Sequence, residues 1–102
     1  MREEEPSGPL MRAIEINAVR RAERYAAFRA GGATWMAECR DLWDAEDDDA
    51  GVYFAEFADG YALREFIAGL DPASDRILGI CDLSRSLESQ GPGLTVDEWM
   101  KQ

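Results

Sequence analysis

The sequence predicts a small α+β domain: an N-terminal amphipathic helix, a β-hairpin, then two or three helices, with an all-α bundle as the alternative. Three observations lead there. Apolar residues recur at helical spacing through the first third of the chain. The run "VYFAEF", Val52 to Phe57, is β-branched and aromatic, too short for a helix and bounded by glycines. Helical spacing then resumes after Asp59. At 102 residues with 46% hydrophobic content, the chain has enough material for one core and too little for two. We read residues 1–9 as a disordered tail, 10–90 as one globular domain, and 91–102 as a Gly-Pro linker with a short helix.

The first helix is read from Leu10 to Ala30. Met11, Ile14, Ala18, Ala22 and Tyr25, extended by Phe28, fall at steps of three and four and form its apolar face. Asn17, Arg20 and Arg24 gather on the opposite side, as a solvated face or a basic docking strip. Gly31 and Gly32 supply the left-handed residue that ends such helices. Thr34 to Trp43 fits two patterns, a Thr34-capped helix and an alternating strand. Its neighbour decides, because a lone strand at Val52 to Phe57 would leave its ladder groups unpaired. The nearest partner is Thr34 to Asp41, in a hairpin whose loop is the acidic run "DAEDDDA".

Gly60 to Leu70 forms the next helix, with Asp59 as N-cap and Ala62, Leu63, Phe66, Ile67 and Leu70 on one face. It ends F-I-A-G where the first helix ends F-R-A-G, which suggests one C-capping solution used twice. Asp71-Pro72 then reads as N-cap and first-turn proline of a helix running through Ile77, Ile80, Cys81, Ser84 and Leu87 to about Ser89. Gly79 weakens that helix by about 1 kcal/mol relative to alanine, and "RILGICDL" as a strand is the alternative. Last, "GPGLTVDEWMKQ" carries the capping-box pattern at Thr95 and Glu98, with Val96, Trp99 and Met100 as a small apolar face. So short a helix is marginal alone and must dock, on its own domain or on a partner.

Charge narrows the function. The net charge is −10 with a single lysine, Lys101, among eleven basic residues. Sequence-independent binding to DNA or RNA needs Lys and Arg to displace counterions from phosphates, so direct nucleic-acid binding is not expected and a basic protein partner is. Asp41, Asp44, Glu46, Asp47, Asp48, Asp49, Glu56 and Asp59 lie in a stretch without Arg or Lys, next to aromatic residues. Together with Val96, Trp99 and Met100 they are the candidate partner-binding residues.

An EF-hand is excluded by spacing: with Gly51 at the sixth position, Phe57 occupies the twelfth, where the loop needs glutamate. Histidine is absent, which removes Ser-His and Cys-His nucleophiles. Neither phosphate-cradling glycine motif occurs. We therefore expect no enzymatic activity, no cofactor and no metal. Cys39 and Cys81 sit in apolar contexts and read as buried thiols. No stretch approaches a membrane span, and the first ten residues do not resemble a secretory signal, so a cytoplasmic location is expected.

The function these features suggest is inhibition or regulation of a DNA- or RNA-handling protein, in the manner of immunity proteins, antitoxins or phage-type inhibitors that mimic nucleic-acid charge. The alternative is an oligomeric structural or accessory subunit, including a homodimer, assembled through Val52 to Phe57 or the C-terminal helix.

Overall fold

The computed structural model describes residues 9–43 and 51–102, with side chains from Glu15 onward. Chain order is α1 (Pro9–Ala30), β1 (Trp35–Asp41), β2 (Val52–Phe57), α2 (Gly60–Gly69), β3 (Asp75–Asp82), a 3-10 turn (Glu88–Gln90) and α3 (Val96–Met100). The strands form one antiparallel sheet in the order β2-β1-β3, with β1 central. This is an α+β fold in three layers. α1 lies against one face of the sheet, over Met36, Phe54 and Cys81; α2 and α3 cover the other, over Ala37, Cys39, Phe57 and Ile80.

The β1–β2 hairpin forms in the register Trp35 to Phe57 through Arg40 to Val52, and Asp41 N–H donates to the Gly51 carbonyl at 2.9 Å. The expected loop, 44–50, and the expected tail, 1–8, lie outside the described residues. Asp59 caps α2 as the sequence implies, its carboxylate accepting from Ala62 N–H at 2.9 Å. The capping box of α3 closes in both directions: Thr95 Oγ1 accepts from Glu98 N–H at 3.1 Å, and Glu98 Oε1 from Thr95 N–H at 2.9 Å.

The helix expected from Asp71 to Ser89 is not formed; the chain takes the strand alternative and becomes β3. Asp71 does supply cap chemistry, to Ala73 N–H at 3.0 Å and to Ser74 Oγ at 3.2 Å, but it closes one turn and no helix follows. The misleading spacing has a structural cause. A β-bulge sets Ile77 opposite Cys39 and Gly79 opposite Glu38, leaving Leu78 as the extra residue, 42% exposed. The inserted residue puts Ile77 and Ile80, three apart, on the same face of the sheet. Three-residue spacing thus arises here from a strand. The open edge of β1 favours it, because a helix at this point would leave that edge's ladder groups unpaired.

The apolar face expected for α1 holds in part: Tyr25 and Phe28 pack on the sheet, whereas Met11 and Ile14 lie outside the residues whose side chains are described. Ala18 and Ala22 are exposed, while Asn17, Arg20 and Arg21 are partly covered and turn toward the sheet. Arg20 Nη1 donates to the Val52 carbonyl at 2.8 Å, and its guanidinium lies 5.4 Å from the Phe54 ring centroid. Arg21 Nε sits 3.4 Å from Glu38 Oε1, and its Nη2 reaches Cys81 Sγ at 3.2 Å and the Gly91 carbonyl. Glu38 points from the sheet into this layer, where burial raises its pKa and Arg21 partly offsets the rise. Leaving that carboxylate without a cation would be costly, and long arginine stems cover apolar surface well. The strip read as a docking surface is therefore largely internal; of its members Arg24 alone is exposed.

The two helices that end alike in sequence stop differently. α1 closes with Gly32 at φ 90° and Ala33 N–H donating to the Phe28 carbonyl. α2 runs into an extended Leu70 whose N–H reaches the Ile67 carbonyl.

Candidate functional site

Of the residues expected from sequence, Asp41 is the one that the described structure places at the acidic end of the sheet. Asp41 ends β1, half-buried, with Oδ1 accepting from Trp43 N–H at 2.9 Å, and it stands opposite Asp75 of β3. Like charges directly opposite repel and raise the local negative potential. Asp75 Oδ1 accepts from the Tyr53 hydroxyl at 3.0 Å. One residue further along the ladder, Arg40 stands opposite Arg76. Because side chains alternate between faces, the carboxylates lie on the α2 side and the arginines on the α1 side.

Between α2 and these strand ends lies an open cleft of about 430 Å³ lined by Tyr53, Glu65, Phe66, Gly69, Leu70, Asp71, Ser74 and Asp75. Trp43 stands at its edge, 80% exposed, with Nε1 3.4 Å from Ser74 Oγ. None of Trp43, Tyr53, Glu65, Asp71, Ser74 and Asp75 is among the partner-binding residues expected from sequence, where Asp71 was read only as a helix cap. Trp43 alone carried a signal, as an aromatic abutting the acidic run. The others converge only because α2 packs on β2 and its C-terminal end lines the same cleft as the start of β3.

The remaining predicted residues divide. Asp44, Glu46, Asp47, Asp48 and Asp49 lie outside the described residues. Glu56 and Asp59 are exposed but belong to the other end of β2; four residues of strand place Glu56 about 13 Å from Val52. Asp59 is engaged as the α2 cap. In α3, Val96 is half-buried, Met100 exposed and Trp99 only 6% exposed. Trp99 meets Trp35 edge to face at 5.7 Å between centroids, with the Arg64 guanidinium 5.9 Å from its ring. The short helix is thus docked on its own domain.

Under the cleft, Cys39 is fully buried on the α2 face. Burial pushes its thiol pKa up to about 12, with Asp75 and Glu38 adding to the rise and the Tyr53 hydroxyl opposing it. Burial and the bond to Asp75 likewise raise the Tyr53 phenol. Both groups stay protonated at neutral pH, so neither is poised as a nucleophile or general base. A raised folded-state pKa leaves stability intact below the ordinary thiol value of 9.0 and removes it as pH rises through the folded value. Alkaline titration followed by circular dichroism should therefore show stability falling between pH 9 and 12. Cys39→Ala should shift that loss upward, and an identical alkaline profile in the variant would count against the burial.

Cys81 is buried on the opposite face of the sheet. No group of three or more metal-ligating side chains occurs among the described residues. No helix among them is long and apolar enough to cross a membrane. In comparisons with known proteins no family model matches the chain, and no curated protein or solved structure matches it.

Proposed function

We propose that this is a small acidic binding protein that inhibits or regulates a basic macromolecular partner, a DNA- or RNA-handling protein being the partner class that its charge fits. The reading rests on one observation: eight carboxylates between Asp41 and Asp59, with no Arg or Lys among them, in a chain of net charge −10. A field of one sign steers a partner of the other sign, raises the association rate and makes it salt-dependent. The acidic end of the sheet adds Asp71 and Asp75 to that field and places the exposed Trp43 beside it, a residue type that anchors interfaces.

The test is charge reversal of Asp47, Asp48 and Asp49 to lysine, read against the partner captured by the wild-type protein. Affinity should fall at least about tenfold, mostly through the association rate, and its salt dependence should flatten. Unchanged affinity and salt slope would overturn the reading.

A further inference from the structure

Building on the reading of an acidic binder, we infer that the cleft between α2 and the acidic end of the sheet takes a guanidinium-bearing side chain of the partner, with Trp43 covering its mouth. The lining selects the ligand's charge. Glu65, Asp71 and Asp75 contribute carboxylates, and no basic side chain is among the described lining residues. Two of the three have acceptor capacity to spare. Tyr53 occupies Oδ1 of Asp75, leaving the other oxygen without a partner among the described residues, and the Glu65 carboxylate makes no hydrogen bond or ion pair among them. Asp71, by contrast, is spent on its own turn, to Ala73 and Ser74.

The shape selects among cations. The carboxylates do not converge into a group that could hold a metal ion, which favours a larger, organic cation. Phe66 and Leu70 offer apolar surface for an alkyl stem, and Tyr53 and Trp43 offer aromatic rings near the rim. A planar guanidinium presents several donors in a fixed fork and stacks on aromatic faces, whereas an ammonium is a compact, strongly hydrated point charge. A space of about 430 Å³ admits one such side chain with room for water. The exposure of Trp43 fits the same account, since a tryptophan left four-fifths in solvent gains burial only when something covers it.

The experiment titrates the isotopically labelled protein with N-acetyl-L-arginine methylamide, following backbone amides and the Trp43 indole N–H by NMR. The neutral citrulline analogue and the lysine analogue serve as comparisons. Saturable shifts confined to Tyr53, Phe66, Ser74, Asp75 and the Trp43 indole are expected, with affinity on the order of millimolar. The lysine probe should bind more weakly and the citrulline probe should not saturate. Glu65→Gln and Asp75→Asn each preserve size while removing the negative charge and one acceptor oxygen, and each should weaken the arginine probe about two- to fivefold. Equal response to citrulline, shifts mapping elsewhere, or indifference to both variants would overturn the inference. A cleft silent to arginine, with partner capture still lost on reversal of Asp47 to Asp49, would sink the cleft and spare the acidic binder. A saturable cleft with capture indifferent to the reversal would do the opposite.

Discussion

Replacing Trp99 by alanine is expected to cost about 3–5 kcal/mol, the range for truncating a large buried aromatic. Trp99 is the buried residue of a five-residue helix, packed edge to face on Trp35 and lying over Gly60, with Arg64 across its ring. So short a helix has no stability of its own. Removing its anchor therefore removes the docking of α3 as well as the contacts of one ring. For a domain of this size, total stability is commonly 5–15 kcal/mol, so the variant should melt at least about 12 °C lower or fail to fold. Urea unfolding followed by far-UV circular dichroism measures it. An unchanged midpoint would mean that α3 is undocked in solution and that Trp99 is available to a partner, as the sequence alone allowed.

Gly79→Ala should be comparably severe although it adds a single methyl group. A Cβ at Gly79 would stand 2.1 Å from the Pro92 carbonyl oxygen and 3.3 Å from its carbon. Those are backbone atoms, with no side-chain rotation to relieve the clash. The strap that would have to move is held to β3 by two hydrogen bonds, Ile80 N–H to the Leu94 carbonyl and Leu94 N–H to the Ile80 carbonyl, both 2.8 Å. Its Gly93, at φ 92°, would itself put a Cβ within 3.1 Å of the Ile80 backbone. Overpacking alone costs about 1–3 kcal/mol, and breaking two ladder bonds adds to that, so the loss should reach about 3 kcal/mol or more. Gly69→Ala is the internal control. A Cβ there meets nothing within 4 Å, and alanine is the better helix former, so stability should hold or rise slightly. Thermal melts of the two variants side by side read the difference; similar losses would show that the strap does not lie against Gly79.

Both results bear on what could be read from sequence. From sequence, Gly79 was a minor defect in a helix; in the fold it is the point where two backbones touch. Trp99 was an anchor for either the protein itself or a partner, and its destination depended on a pocket formed by Trp35 and Gly60, residues far from it in the chain. The candidate site was legible only as charge. The acidic run next to Trp43 is visible in ten consecutive residues, but Tyr53, Glu65, Asp71 and Asp75 come from β2, α2, the turn after α2 and β3, and share a cleft only after the layers pack.

What the sequence determined by itself is everything encoded in a few contiguous residues. Asp59 starts α2, Thr95 and Glu98 box the start of α3, and the glycines after Ala30 end α1. The β-branched and aromatic run at Val52 demands a partner strand and finds the nearest one. Tertiary structure decided the rest. The bulge opposite Glu38 made a strand out of residues spaced like a helix, because β1 had a second edge to fill. Half-buried Glu38 turned the arginines of α1 inward and its alanines out, because an unpaired carboxylate costs more than exposed methyl groups. Caps and turns close over three or four residues, whereas the face an element buries is set by the surface it meets.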